Sequence, residues 1–189
     1  NVEYLFMPNV KEIYKKKNKK FNLKKSEKIL CAKYRPGHFE GVLNVMDRLL
    51  ALIKSKHIFM GEKDFQQYFL IKKILGKKYK VNIIGHPIIR DKNKVALSTR
   101  NKLLNKKSIY ITSCIAKRLI NLKKNFKIKK LKMPNNLLKI KSDFEKKYKV
   151  KVDYLEFRDE KNLKLNNFKS KYRLFIAYYN NNIRLIDNF

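Results

Sequence analysis

The stretch Ile58-Phe59-Met60-Gly61-Glu62-Lys63-Asp64-Phe65-Gln66-Gln67 indicates how this chain folds. Its first three residues form a short apolar run typical of a buried strand, and the glycine ends that strand. A helix is predicted to begin near Asp64. Its apolar residues recur at helical spacing and comprise Tyr68, Ile71, Ile74 and Leu75. A strand that leads directly into a helix is the basic unit of α/β proteins.

Further strands and helices alternate around this unit. An apolar stripe predicts an amphipathic helix at residues 42–53, and short apolar runs predict strands at 29–32 and 81–84. The order strand, helix, strand, helix, strand predicts right-handed crossovers and a parallel sheet. An apolar run at 2–7, closed by a proline, predicts one more buried strand.

The pattern changes after Pro87, where strands and helices no longer alternate. Helices are predicted at 108–122 and 137–148, and strands at 150–154, 172–179 and 183–186. The last two strands flank Asn180-Asn181-Asn182, and asparagine tolerates the positive φ of tight hairpin turns. We therefore predict a parallel sheet in residues 1–87 and a separate small α+β domain in residues 88–189.

The chain is strongly basic, since its 189 residues include 48 Lys and Arg but only 15 Asp and Glu, a formal net charge of +33. Such a charge raises nucleic-acid binding as a hypothesis, because bound lysines release counterions from phosphates. Only 8 of the basic residues are arginine, however, and Lys, Asn and Ile together make up 79 residues. These three types share A/T-rich codons, so we interpret most lysines as a solvated surface. Nucleic acid is not the predicted partner.

Membrane-spanning and metal-cluster proteins are also not predicted. No apolar stretch approaches the roughly 18 residues that a helix needs to cross a bilayer. Cys31 and Cys114 lie far apart, with no Cys or His at ligand spacing, so the sequence signals neither a disulfide framework nor a zinc site. We expect both thiols to be buried in a reducing compartment and predict no metal ligands.

Lys63 is the first candidate for chemistry. It follows a predicted strand and stands where a helix begins, a position at which ligands of open α/β sheets bind and N–H groups favour anions. A lysine in a first helical turn opposes the helix dipole unless an anion binds beside it. The alternative is that Glu62 and Asp64 simply neutralise Lys63. The spacing alone leaves both interpretations open.

A second candidate is the polar loop Leu97-Ser98-Thr99-Arg100-Asn101. Two hydroxyls beside an arginine suit a polyphosphate, since hydroxyls donate hydrogen bonds and a guanidinium binds two oxygens at once. The same residues are also typical of an ordinary helix cap.

The turn Arg35-Pro36-Gly37-His38-Phe39-Glu40-Gly41 is a third candidate. Its glycines allow a tight turn that places His38 near the start of a predicted helix. A lone histidine is more often structural than catalytic, and we interpret His57 and His86 as structural. The sequence leaves the role of His38 open.

Together these segments resemble the pantothenate synthetase family. The matching stretches occur in family order over nearly the whole chain, at 35–41, 61–67, 85–90, 97–101, 154–156 and 184–188. The run Gly-Glu-Lys-Asp-Phe-Gln-Gln at 61–67 is highly specific. One departure is modest, because the Ser-Ser-Arg of the family is Ser98-Thr99-Arg100 here and retains the hydroxyl.

The resemblance implies both a fold and an activity. The fold would be α/β, with a partial Rossmann-like parallel sheet of the nucleotidyltransferase type that binds ATP and pantoate in residues 1–87. Residues 88–189 would form a small α+β lid domain. The activity would be the ATP-dependent condensation of pantoate with β-alanine through a pantoyl adenylate, in a cytoplasmic homodimer.

The resemblance also implies residue roles. Lys63 and Arg100 would be catalytic counter-charges for the departing pyrophosphate. Gln67 would bind pantoate, since a neutral amide holds hydroxyl and carboxylate without adding charge. Mg²⁺ would be carried on the phosphates with few protein ligands. The implied ATP-binding residues are Gly61, Glu62, Lys63, Asp64, Ile89, Leu97, Ser98, Thr99 and Arg100.

One motif of the family is absent from this sequence. The family uses a His-x-Gly-His motif to bind ATP phosphates, and no such motif occurs here. Residues 2–14 resemble the family sequence that follows that motif, so we expect that about the first third of the enzyme is missing. Two alternative functions stay open, namely a non-catalytic remnant of the enzyme and, on charge alone, a basic nucleic-acid-binding protein.

Overall fold

The computed structural model describes residues 2–14, 20–129, 134–165 and 171–189 of the chain. The chain divides into two compact units. The first comprises Asn1–Gly61 and Phe65–His86, and the second comprises Glu62–Asp64 and Pro87–Phe189. The short segment Glu62–Asp64 therefore belongs with the C-terminal part of the chain.

The first unit contains a two-stranded parallel sheet. Strand β1 (His57–Gly61) pairs with β2 (Asn82–His86) in register, with Ile58 opposite Ile83. The helices of this unit are α1 (Val10–Ile13), α2 (Cys31–Tyr34), α3 (His38–Ile53), α4 (Phe65–Ile71) and α5 (Lys77–Tyr79), and a π-helical turn (Lys72–Gly76) joins the last two. The predicted parallel pairing of these two strands is confirmed.

Helix α3 is the amphipathic helix that the sequence predicted, and it begins four residues earlier than the apolar stripe. Gly37 precedes it with a φ of 78°, a left-handed conformation that favours glycine. The Arg35 side chain contacts His38 at the start of the helix, with 2.8 Å between Nη1 and Nε2. Leu43 and Leu50 are buried on its inner face. The turn therefore fixes where the helix starts.

Two of the predicted strands are wrong. Residues 2–7 form no strand, and their apolar side chains are exposed; no described strand pairs with the run, so its backbone lacks the partner that an extended segment needs. Residues 29–32 lead into α2 instead. The Gln66 amide nitrogen donates to the Ile29 carbonyl at 2.8 Å, and Leu30 adopts a φ of 48°, which turns the chain out of an extended path.

The second unit is an antiparallel sheet packed against two helices. Strands β3 (Lys151–Asp159), β4 (Tyr172–Asn180) and β5 (Ile183–Asn188) pair in the order β3-β4-β5, and the helices are α6 (Lys106–Lys129) and α7 (Pro134–Tyr148). Leu119 and Phe144 from the helices pack with Leu174 and Ile176 from the sheet, and all four are essentially inaccessible to solvent. The predicted α+β character of this region is confirmed.

A tight hairpin turn joins β4 to β5 at the asparagine run. Asn181 and Asn182 have φ values of 48° and 62°, so two consecutive residues are left-handed. This geometry matches the right-handed twist of the flanking strands. The predicted hairpin is confirmed.

The two thiols differ in accessibility. Cys31 is buried as expected, whereas Cys114 on α6 is only half-buried. No helix in the described part of the chain is long and apolar enough to cross a membrane.

Candidate active site

Lys63, Ser98 and Arg100 line one small cleft in the second unit. Asn101 and Asp187 contribute to the same cleft. The structure thus places three residues that the sequence singled out in separate segments around one cleft. An ammonium, a guanidinium and a hydroxyl in one cleft are the donors that bind phosphate oxygens.

Lys63 lies in a short 3₁₀ turn, Glu62–Asp64, between β1 and α4. Glu62 does not neutralise it, because Glu62 Oε2 accepts a hydrogen bond from Arg173 Nη2 at 2.8 Å. Asp64 is exposed. Among the residues that the structure describes, Lys63 has no ion-pair partner within 4 Å. Neither carboxylate of the turn therefore forms an ion pair with Lys63, and the carboxylate that senses its charge is Asp187 in the same cleft.

Ser98 caps a second 3₁₀ turn, Thr99–Leu103, as its Oγ accepts from the Arg100 backbone N–H at 3.3 Å. The interpretation of this loop as a cap is confirmed. Capping uses the hydroxyl as an acceptor and leaves its hydrogen to donate elsewhere. The side chains of Thr99 and Arg100 are exposed. Capping and anion binding are therefore compatible in this loop.

Ile89 and Leu97 are brought together by backbone pairing. The Leu97 N–H donates to the Ile89 carbonyl at 2.9 Å, and the residues between them form a further bridge from Arg90 to Ala96. The side chains are 71% and 53% exposed, respectively. Two exposed apolar side chains thus stand next to the segment that contains Ser98.

A buried ion pair supports the wall of the cleft. Arg90 Nη1 and Nη2 donate to the two carboxylate oxygens of Asp187 at 2.7 and 2.9 Å, and the guanidinium carbon lies 4.4 Å from the centroid of the Phe189 ring. Burial raises the pKa of Asp187 above its ordinary value, whereas Arg90 and, more weakly, Lys63 oppose that rise. The two-pronged geometry holds the carboxylate in one orientation.

Gly61 and Gln67 belong to the first unit, so they are not among the residues of this cleft. Gly61 ends β1 with φ −70° and ψ 128°, which any residue adopts, and a Cβ atom there would meet nothing within 4 Å. Neither backbone nor packing in this unit explains the glycine. Gln67 is half-buried on α4.

Sequence reasoning assigned no role to the residues that hold the cleft. Arg90, Asp187 and Asn188 lie in segments that match the family, and that match was the available signal. Arg173 carried no signal, because it pairs with Glu62 from 111 positions away.

The fold and the cleft define an α/β protein in which residues from separate segments, Lys63, Ser98 and Arg100, line one cleft. Comparison with known proteins then gives its family, since the model of the Pantoate-beta-alanine ligase family matches residues 1–189. The chain belongs to the pantoate–β-alanine ligase family, as its motifs predicted.

Individual relatives agree with this assignment. The pantothenate synthetase of Flavobacterium psychrophilum is 36% identical over 191 residues, which cover 97% of this chain and 67% of the relative. A crystal structure of the Francisella tularensis ligase, complexed with β-γ ATP and β-alanine, is 33% identical with a TM-score of 0.73, and the match covers 95% of this chain and 61% of that one. The Thermus thermophilus enzyme, at 24% identity and TM-score 0.88, shares the fold over 100% of this chain and 69% of its own. The chain thus spans about two thirds of the length of these relatives.

Proposed function

We propose that this chain takes part in the ATP-dependent ligation of pantoate to β-alanine, with pantoyl adenylate as the intermediate. The observation that carries the proposal is that Lys63, Ser98 and Arg100 all line one cleft. Family membership supports it, and so does the bound state of the Francisella relative, which holds an ATP compound and β-alanine.

The reaction has two balanced steps. A pantoate carboxylate oxygen attacks the α-phosphorus of ATP, the bond from that phosphorus to the bridging oxygen breaks, and pyrophosphate leaves. The β-alanine amine then attacks the acyl carbon, the acyl–oxygen bond breaks, AMP leaves and the amine loses a proton. Negative charge gathers on the leaving group in each step. Lys63 and Arg100 would stabilise that charge on pyrophosphate.

The remaining assignments follow the family motifs. ATP would contact the segments Gly61–Asp64, Ile89 and 97–100. The exposed apolar surface of Ile89 and Leu97 suits the flat face of a base, and Gly61 has open space in place of a side chain. Gln67 would bind pantoate through its amide.

Mg²⁺ would arrive on the ATP phosphates, because it keeps several water ligands and needs few from protein. The carboxylates near Lys63 fit such a limited role. Arg173 holds Glu62, which leaves the exposed Asp64 as the carboxylate of this turn able to face a hydrated cation. When bound, Mg²⁺ would supply charge neutralisation at the phosphates.

The organisation of the protein is also proposed from the family. Residues 1–87 would bind ATP and pantoate, residues 88–189 would act as the lid domain, and the protein would work as a cytoplasmic homodimer. Sedimentation of the purified protein measures the oligomeric state directly.

The test uses the product of the complete open reading frame together with ATP, pantoate and β-alanine. We expect pantothenate, AMP and pyrophosphate in equal amounts. Release of ADP in place of AMP would contradict the adenylate. A protein that folds and binds ATP but forms no AMP would favour the non-catalytic remnant. Salt-sensitive retention of a nucleic acid in a gel, without ligase activity, would favour the nucleic-acid alternative.

A further inference from the structure

The side chain of Asn188, at the end of β5, is buried and fully hydrogen-bonded. Its Nδ2 donates to the backbone carbonyls of Glu62 and Lys63, both at 2.9 Å. Its Oδ1 accepts from Arg173 Nη1 at 2.7 Å. Only 2% of the residue is exposed. The Asn188 amide thus ties the Glu62–Lys63 and Lys63–Asp64 peptide units to β5.

Arg173 completes the arrangement by removing a competing anion. Its Nη2 binds Glu62 Oε2 at 2.8 Å, and its Nε lies 3.3 Å from Glu160 Oε1. Its side chain is 13% exposed, so these bonds are shielded from water. With Glu62 turned toward Arg173, the charge of the neighbouring Lys63 is not cancelled within the turn.

Asn188 is itself held rigidly. Its backbone carbonyl accepts from Arg90 Nη2 at 3.0 Å, and it lies opposite Phe175 in the antiparallel ladder between β4 and β5. A side chain on a fixed strand transmits that fixed position to whatever it binds.

We propose that Asn188 is a positioning residue for Lys63, and that Arg173 supports it by orienting the Asn188 amide and holding Glu62 away from the ammonium. The proposal rests on the proposed function, in which Lys63 stabilises charge on the departing pyrophosphate. An amide is required because only a neutral group with two hydrogens can serve two carbonyls while accepting from arginine. A displacement of a catalytic group by about 1 Å costs up to about a hundredfold in rate.

Asn180 offers a matched control in the same hairpin. It is also 2% exposed, and its Nδ2 donates to Ser108 O at 2.9 Å and to Thr112 Oγ1 at 3.2 Å. Its partners lie on α6, so it makes none of the bonds to the Glu62–Lys63 backbone. Asn180→Leu and Asn188→Leu therefore each remove one buried asparagine amide. Only Asn188→Leu removes the hydrogen bonds to the Glu62 and Lys63 carbonyls.

The experiment compares these variants, alone and combined with Lys63→Ala, in the complete gene product. Initial rates of pantoate-dependent AMP formation are measured well below the unfolding midpoints, and pyrophosphate affinity is measured by calorimetry. We expect Asn188→Leu to lower kcat at least about tenfold and to weaken pyrophosphate binding, while Asn180→Leu changes neither by more than about twofold. In the Lys63→Ala background, Asn188→Leu should have no further effect on either quantity.

Equal losses in the two asparagine variants, or a full further loss in the Lys63→Ala background, would overturn the proposal. If the leucine variants do not fold, Asn188→Asp and Asn180→Asp replace them, since the carboxylate keeps the shape but cannot donate. The wild-type protein could bind pyrophosphate without turnover, with only the Asn188 variant weakening that binding. This result would support the positioning role and refute the ligase function. A wild-type protein with neither turnover nor pyrophosphate binding would overturn both.

Discussion

Removal of one partner of the Arg90–Asp187 pair should strongly destabilise the second unit, because the other partner would stay shielded from water. The two side chains are only 17% and 12% exposed, and Arg90 also donates to the carbonyls of Lys94 and Asn188, each at 3.0 Å. Arg90→Ala removes the charged partner of the Asp187 carboxylate and leaves it the Asn188 backbone N–H, which donates to its Oδ1 at 2.7 Å. Breaking a buried pair in this way costs about 3–5 kcal/mol of unfolding free energy.

The matched control is Arg118→Ala, which removes the same side chain from a pair with Asp143. That pair has a similar distance of 2.8 Å, but its members are 40% and 39% exposed. Water and salt screen such a pair, so we expect a loss of at most about 1 kcal/mol.

Urea unfolding followed by circular dichroism gives both free energies, and hydrogen exchange locates the loss. The Phe189 amide, which donates to Leu174 O at 2.9 Å, should exchange faster in Arg90→Ala than in Arg118→Ala. If Arg90→Ala does not fold, Arg90→Lys keeps the charge without the two-pronged contact and should lose part of the same free energy. Equal losses at positions 90 and 118 would refute the reasoning from burial.

Three further outcomes are expected. Asn182 has a φ of 62°, so Asn182→Val should lower the free energy of unfolding by about 1–2 kcal/mol and Asn182→Gly by much less. Urea unfolding measures both, and similar losses would contradict the left-handed turn. Burial opposes ionisation of Glu27, but Lys73 and a backbone N–H more than offset burial, so the pKa of Glu27 is lowered. The ionised Glu27 therefore contributes its full stabilisation above the unfolded-state pKa. That stabilisation is lost as pH falls through the folded-state pKa. In Glu27→Gln the free energy of unfolding should therefore fall less at acidic pH. An unchanged pH dependence would argue against the Glu27–Lys73 pair. In the ligase assay, Lys63→Ala should lower kcat by about a hundredfold or more and Gln67→Ala should mainly raise the KM for pantoate, with the exposed Lys139→Ala as a control; matching defects in the first two would contradict their separate roles.

Local patterns in the sequence were enough for the elements that depend on local chemistry. The apolar stripe of α3 and the asparagines of the β4–β5 turn each specify their own conformation through periodicity or tolerance of positive φ. The wrong strands failed for non-local reasons. Residues 29–32 are shaped by Gln66, which lies 37 positions from Ile29, and residues 2–7 have no described strand to pair with.

In the candidate site, too, local motifs were visible in the sequence and non-local contacts were not. Lys63, Ser98 and Arg100 were found because their motifs resemble a family, and chemistry supplied a reason for each residue type. The bonds that hold them were not predictable. Asn188 reaches the Glu62 carbonyl across 126 positions, and such a contact leaves no periodicity or spacing in the sequence. Only the folded chain brings these groups together.

Activation of pantoate as an adenylate would transfer an oxygen atom from the pantoate carboxylate to AMP, and isotope labelling measures that transfer. Pantoate with heavy oxygen in its carboxylate is incubated with ATP, Mg²⁺, β-alanine and the complete gene product, and the nucleotides are analysed by mass spectrometry. Attack on the α-phosphorus, followed by cleavage of the acyl–oxygen bond, predicts one heavy oxygen in the phosphate of AMP. Release of ADP with heavy oxygen in inorganic phosphate would contradict adenylate formation. A folded protein that binds ATP but forms no AMP would contradict it as well.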